Sequence, residues 1–144
     1  MPTLCEMNFE EDFGVAKNVD DSNRWSLEKI GGLEVWASIS PASHPNEIFQ
    51  ARLIWKKYPQ EAPSLKFRDP ATGRVDLTSA WPKVRGFRPT SFDTCVNWTA
   101  EGLKIHPEWN TDNRYKWDPH GNVLLRTLRI LIDELDGYFE GRHP

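Results

Sequence analysis

The chain has 144 residues, 38% of them apolar and 27% charged, with seven Trp and seven Phe. That length holds one domain around one core, and the aromatic and apolar content excludes a disordered or fibrous chain. Eighteen Lys and Arg against 21 Asp and Glu leave a net charge of −3 with neither sign in a long block, which argues against a dedicated nucleic-acid binder and its basic stripe. The longest apolar run, 123–132, is interrupted by Arg126 and Arg129 and falls far short of the roughly 20 residues that span a bilayer. Residues 1–12 are acidic and lack the basic flank and apolar stretch of a secretory signal, so no membrane partner and a cytoplasmic location are expected. Two cysteines, Cys5 and Cys95, make no disulfide framework, and no Cys/His spacing suits zinc. Both are expected to be free thiols.

In chain order, Thr3-Leu4-Cys5-Glu6 has capping-box spacing and acidic residues follow it, which predicts a first helix over about residues 4 to 17, with Gly14 as its weak point. From 25 to 67 the pattern alternates. Leu33, Val35, Ala37 and Ile39 interleave with polar positions and Trp36; Phe49, Ala51, Leu53 and Trp55 follow with one mismatch at Ile54; Leu65 and Phe67 close the series. With Trp25-Ser26-Leu27 these are three or four half-buried strands. The turns Gly31-Gly32, 41–46 and 58–63 are short, as in an antiparallel meander buried on one face.

Residues 69–116 carry Pro70, Gly73, Pro82, Gly86, Pro89, Gly102 and Pro107 and no sustained period. They read as a long irregular segment, a kind that is often functional. A final helix follows, with Asp118 as N-cap, Pro119 at the first position and Leu124, Leu128, Leu131, Leu135 and Tyr138 recurring at steps of three and four, widened by Leu125, Ile132 and Phe139. Arg129 and Asp133 stand at i, i+4 on its solvated side. The expected class is α+β in layers, a single domain over 1–144.

Cys95 lies in the irregular segment, within Phe92-Asp93-Thr94-Cys95-Val96-Asn97-Trp98. A cysteine thiolate is the strongest ordinary nucleophile near neutral pH and holds an acyl group as a thioester, although a single cysteine also serves as a small buried hydrophobe. Cys5, on the first helix, is the weaker candidate. Asp93 has the chemistry to orient or deprotonate an attacking amine, and beside Thr94 it also suits a turn. Trp98, Trp109 and Trp117 either line a partner groove or complete the core.

Tyr58-Pro59-Gln60-Glu61-Ala62-Pro63, running into Ser64-Leu65-Lys66-Phe67, resembles the turn between the third and fourth strands of ubiquitin-conjugating enzymes. Cys95 and then Trp117-Asp118-Pro119 before the long helix follow that family's order of catalytic Cys, Trp-x-Pro and crossover helix. The resemblance covers about residues 3 to 139. It implies the ubiquitin-conjugating (UBC-like) fold and a Cys95 that takes the C-terminus of a ubiquitin-like protein, or of another protein with such a tail, from an activating enzyme and passes it to a target lysine. No cofactor or metal is required. By the same resemblance the first helix is the surface for the activating enzyme, and Glu10-Glu11-Asp12 suits a basic patch on it.

The sequence departs from the family in three ways. The His-Pro-Asn that precedes the family's cysteine is replaced by Arg85-Gly86-Phe87, and the literal His44-Pro45-Asn46 falls between the second and third strands. The family asparagine supplies a donor near the developing oxyanion; Asn97, His106 and Asn110 are the substitutes by residue type. Cys95 and Trp117 are twenty-two residues apart, more than is usual, and a fold without the family's two C-terminal helices is expected. These features resemble divergent bacterial members in anti-phage cyclic-oligonucleotide signalling (CBASS) or ubiquitin-like conjugation operons, as do residues 138–144. The alternative is a catalytically inactive binding or scaffold module of the same fold. A cysteine hydrolase using Cys95 with His106 or His120 is the third reading.

Overall fold

The computed structural model describes residues 2–141. Helix α1 spans Leu4–Ala16, and its expected capping box is formed: Glu6 N donates to Thr3 Oγ1 at 3.1 Å and Thr3 N to Glu6 Oε1 at 3.4 Å. Only Phe9 and Ala16 of α1 are fully sheltered, while Leu4 and Met7 stay exposed. Strands β1 Trp25–Gly31, β2 Glu34–Ile39, β3 Phe49–Ile54 and β4 Ser64–Arg68 form an antiparallel meander in that order. Alternation sets its register. Val35 faces Leu53, Ala37 faces Ala51, Ile39 faces Phe49, and Ala51 and Leu53 face Phe67 and Leu65. All of these point to one buried layer. Ile54, the mismatch, is half-buried on the other face between Glu34 and Ser64.

A helix spanning Val123–Phe139 covers that layer with Val123, Leu124, Leu125, Leu128, Leu131 and Leu135. The protein is therefore α+β, a four-stranded antiparallel sheet with an N-terminal and a C-terminal helix. No helix among the described residues is long and apolar enough to cross a membrane. Residues 142–144, part of the tail compared above, lie outside the described residues.

Three expectations are corrected. The last helix starts four residues later than Asp118 predicts. Asp118 Oδ1 accepts from His120 N at 3.0 Å, closing a local turn, and Gly121 at φ +77° turns the chain before Asn122 caps Leu125 N at 3.0 Å. Arg129 pairs with Asp21 at 2.9 Å instead of with Asp133, because a bidentate acceptor from the loop after α1 stands beside it. The irregular stretch also contains regular structure. It includes a two-stranded ribbon, β5 Phe87–Arg88 with β6 Asp93–Thr94, and a helix α2 over Ala100–Ile105. The last helix is therefore α3.

Side chains tie distant segments together. Trp25 Nε1 donates to Ala16 O at 2.9 Å, joining α1 to β1. The buried Tyr58 hydroxyl donates to Asp12 Oδ2 and accepts from Leu124 N at 3.0 Å, so the turn before β4 holds both helices. Arg24 grips Asp136 of α3 at 2.9 and 3.1 Å and also donates to Ser40 O at 3.2 Å, while Ala42 N donates to the same carboxylate at 2.9 Å.

Candidate active site

Cys95 follows β6 directly, and the local sequence explains its placement. Phe87 and Thr94 face each other and turn inward: Phe87 packs on Phe67 and Trp98 at ring distances of 5.4 and 6.1 Å, and Thr94 Oγ1 lies 3.4 Å from Leu65 O. Phe92, at φ +55°, closes the turn by donating its N–H to Arg88 O at 2.7 Å, and Lys66 Nζ donates to Phe92 O at 2.5 Å. The ribbon extends one step past β6, since Cys95 N donates to Gly86 O at 2.6 Å. Alternation then puts Arg88, Asp93, Gly86 and Cys95 together on the opposite face from Phe87 and Thr94. Cys95 is half-buried there as a free thiol.

Two glycines clamp the main chain at this point. A methyl group on Gly86 would stand 2.8 Å from Val96 Cγ1 and 3.2 Å from Cys95 O, and one on Gly102 of α2 would stand 1.8 Å from Val96 O. Any larger residue at 102 must push the segment carrying Cys95 aside. Thr99, the N-cap of α2, is fully buried; its hydroxyl accepts from Gly102 N at 3.1 Å and lies 3.0 Å from Thr94 O and 3.2 Å from Val96 O. The helix is fastened to the sheet edge by Glu101, which accepts from Leu65 N at 3.2 Å and from the Ser64 hydroxyl, and by Ala100 N donating to Pro63 O at 2.8 Å. Trp117 Nε1 donates to Pro59 O at 2.9 Å. The proline-rich turn and the tryptophan singled out in the sequence therefore meet, and the turn's far end supports α2.

An ion pair stands on the same face of the ribbon as Cys95. Arg88 binds Asp93 through Nε and Nη2 at 2.6 and 2.7 Å, and Ser91 Oγ donates to the same carboxylate at 3.1 Å. The Arg88 hydrogen bond holds the Asp93 carboxyl below the usual carboxylate range. Such an acid is a weak base, so Asp93 is better suited to orienting Arg88 than to deprotonating an amine.

The other expected donors are engaged elsewhere. Asn97 Nδ2 donates to Tyr115 O at 3.0 Å, tying down the loop before Trp117. His106 ends α2, a helix rise of about 9 Å from its start, with Nδ1 3.0 Å from Glu108 Oε1 and its ring 4.4 Å from that of Trp109. Asn110 Nδ2 donates to Pro107 O at 3.1 Å, and His120 Nδ1 lies 2.6 Å from Asp118 Oδ1. The structure thus brings Asp93 to Cys95 and leaves His106 at the other end of a helix. Trp98 packs against the core. Cys5 is half-buried on α1, 4.0 Å from Gln60 Oε1. Among the described residues no three His, Cys, Asp or Glu side chains group as metal ligands.

Arg88, Gly86, Gly102 and Thr99 escape a reading of the sequence. The signals are present in Thr99-Ala100-Glu101, a capping residue followed by an acidic first turn, and in Arg88 and Asp93 flanking Pro89-Thr90-Ser91. Both signals are too short to give a period.

The chain matches no family model, no curated protein and no solved structure.

Proposed function

We propose that the protein is a ubiquitin-conjugating-like acyl carrier of the UBC-like fold. Cys95 takes the C-terminal carbonyl of a ubiquitin-like protein, or of another protein with such a tail, from an activating enzyme and passes it to an amine, within a bacterial defence or conjugation system. The observation that carries this reading is the setting of Cys95. It is a half-buried thiol at the mouth of a ribbon whose main chain is clamped by Gly86 and Gly102, with the Arg88–Asp93 pair on the same face. The order of α1, meander, cysteine segment and α3, and the contact of Trp117 with the Tyr58-Pro59 turn, support it. A thiol serving only as packing has no use for a fixed, partly open position beside a cation.

The test is intact mass and a non-reducing gel after incubation with ATP and the products of the neighbouring genes, for wild type, Cys95→Ser and Cys5→Ser. A thiol-sensitive adduct that disappears, or becomes a thiol-resistant ester, in Cys95→Ser alone is the expected outcome. A scaffold role is the second reading, favoured by the engagement of Asn97, His106 and Asn110 in other hydrogen bonds. It predicts complex formation with the same partners and no adduct.

A further inference from the structure

The ribbon places Arg88 directly opposite Asp93, which makes Cys95, two residues on, its diagonal neighbour. Diagonal neighbours across a pair of strands stand roughly 7–8 Å apart, within reach of a side chain as long as arginine. Asp93 grips the guanidinium side-on through Nε and Nη2, so the two N–H groups of Nη1 have no partner among the described residues. The grip is fixed in turn by Ser91 on the carboxylate and by Lys66 on the turn. With 42% of its side chain exposed, Arg88 is open to an incoming group. The Asp93 hydrogen bond raises the guanidinium's affinity for its proton, so Arg88 stays charged. Gly86, opposite Cys95, puts no side chain between them.

We propose that Arg88 is the oxyanion donor for the acyl group carried on Cys95, with Asp93 as the positioning residue that aims it; this rests on the thioester reading above. An uncharged amine attacks the thioester carbonyl carbon, forming the C–N bond while the C=O electron pair moves onto oxygen, where Nη1 of Arg88 donates to it. Return of that pair breaks the C–S bond and releases the Cys95 thiolate, and the proton lost from the amine passes to water. Arg88 keeps its own proton throughout. Its fixed positive charge replaces the side-chain amide that Asn97 and Asn110 spend on other carbonyls.

Chemical loading tests this without any partner protein. Cys95 is loaded by exchange with a short peptide α-thioester ending in Gly-Gly, and discharge to free lysine is followed by intact mass. In Arg88→Ala the maximal discharge rate falls at least about ten-fold while the lysine concentration for half-maximal rate is unchanged. Arg88→Lys recovers part of the rate, Asp93→Asn loses less than Arg88→Ala, and Arg85→Ala behaves as wild type. Thermal melting of each variant separates these effects from misfolding, with Arg88→Lys as the variant that keeps the charge. Discharge of Arg88→Ala at the wild-type rate overturns the proposal and leaves the carrier reading intact. A wild-type Cys95 that takes no acyl group overturns both.

Discussion

Tyr58 carries the most at the scale of a single residue. Its hydroxyl is the meeting point of α1, the turn before β4 and the start of α3, and burial together with the Asp12 hydrogen bond pushes its ionisation well above the ordinary phenol range. Tyr58→Phe leaves Leu124 N without its acceptor and Asp12 without its donor, so a loss of about 1–3 kcal/mol is expected in denaturant unfolding. Asp12 pulls the other way. Burial raises its carboxyl above the ordinary value, with Tyr58 opposing and Glu11 adding. Folded protein then holds a proton that unfolded chain has released, so this group costs stability as pH rises from the ordinary Asp range through the raised one. Asp12→Asn should gain over wild type on going from acid to neutral pH and match it below that window, as urea midpoints along a pH series would record. The Tyr58-Pro59 pair was legible as a turn signal. Its hydrogen bonds were not, because both partners lie more than forty residues away.

Among the elements, the meander and α3 could be read because each repeats its period for five residues or more, and the buried layer follows that alternation strand by strand. Helix α1, with only Phe9 and Ala16 buried, was legible instead from its capping box and the acidic residues after it. The cysteine-bearing stretch is built from pieces of two and six residues, too short to show a period. Their placement depends on contacts with Pro63, Ser64 and Leu65, which sequence spacing cannot express. The start of α3 was misplaced for a related reason. Asp118 and Asn122 are both good caps, and the left-handed Gly121 between them decides which one serves. Two substitutions probe α2. Thr99→Ala removes its N-cap and should cost about 0.5–2 kcal/mol. Gly102→Ala forces a methyl group into Val96 O, so loading of Cys95 should fall more than the melting temperature suggests, an asymmetry seen by running adduct formation and thermal melts on the same samples.

For the molecule as a whole, the apolar layer between sheet and α3 dominates. Leu128 is fully buried in it, and Leu128→Ala should cost about 2–5 kcal/mol in chemical unfolding. The layering follows from the hydrophobic pattern, while the ionic ties across it do not: Arg129 had a plausible partner within its own helix and found another from the loop after α1. Arg24 and Asp136 make one such tie, a bidentate pair with side chains 29% and 14% exposed, joined by Ala42 N. Its two charged partners are 112 residues apart in the chain. Contacts of such separation form only after the loop they close is already organised. Asp136→Asn should therefore leave the refolding rate nearly unchanged and put its whole effect into faster unfolding, so that this carboxylate governs how long the native state lasts more than how quickly it is reached.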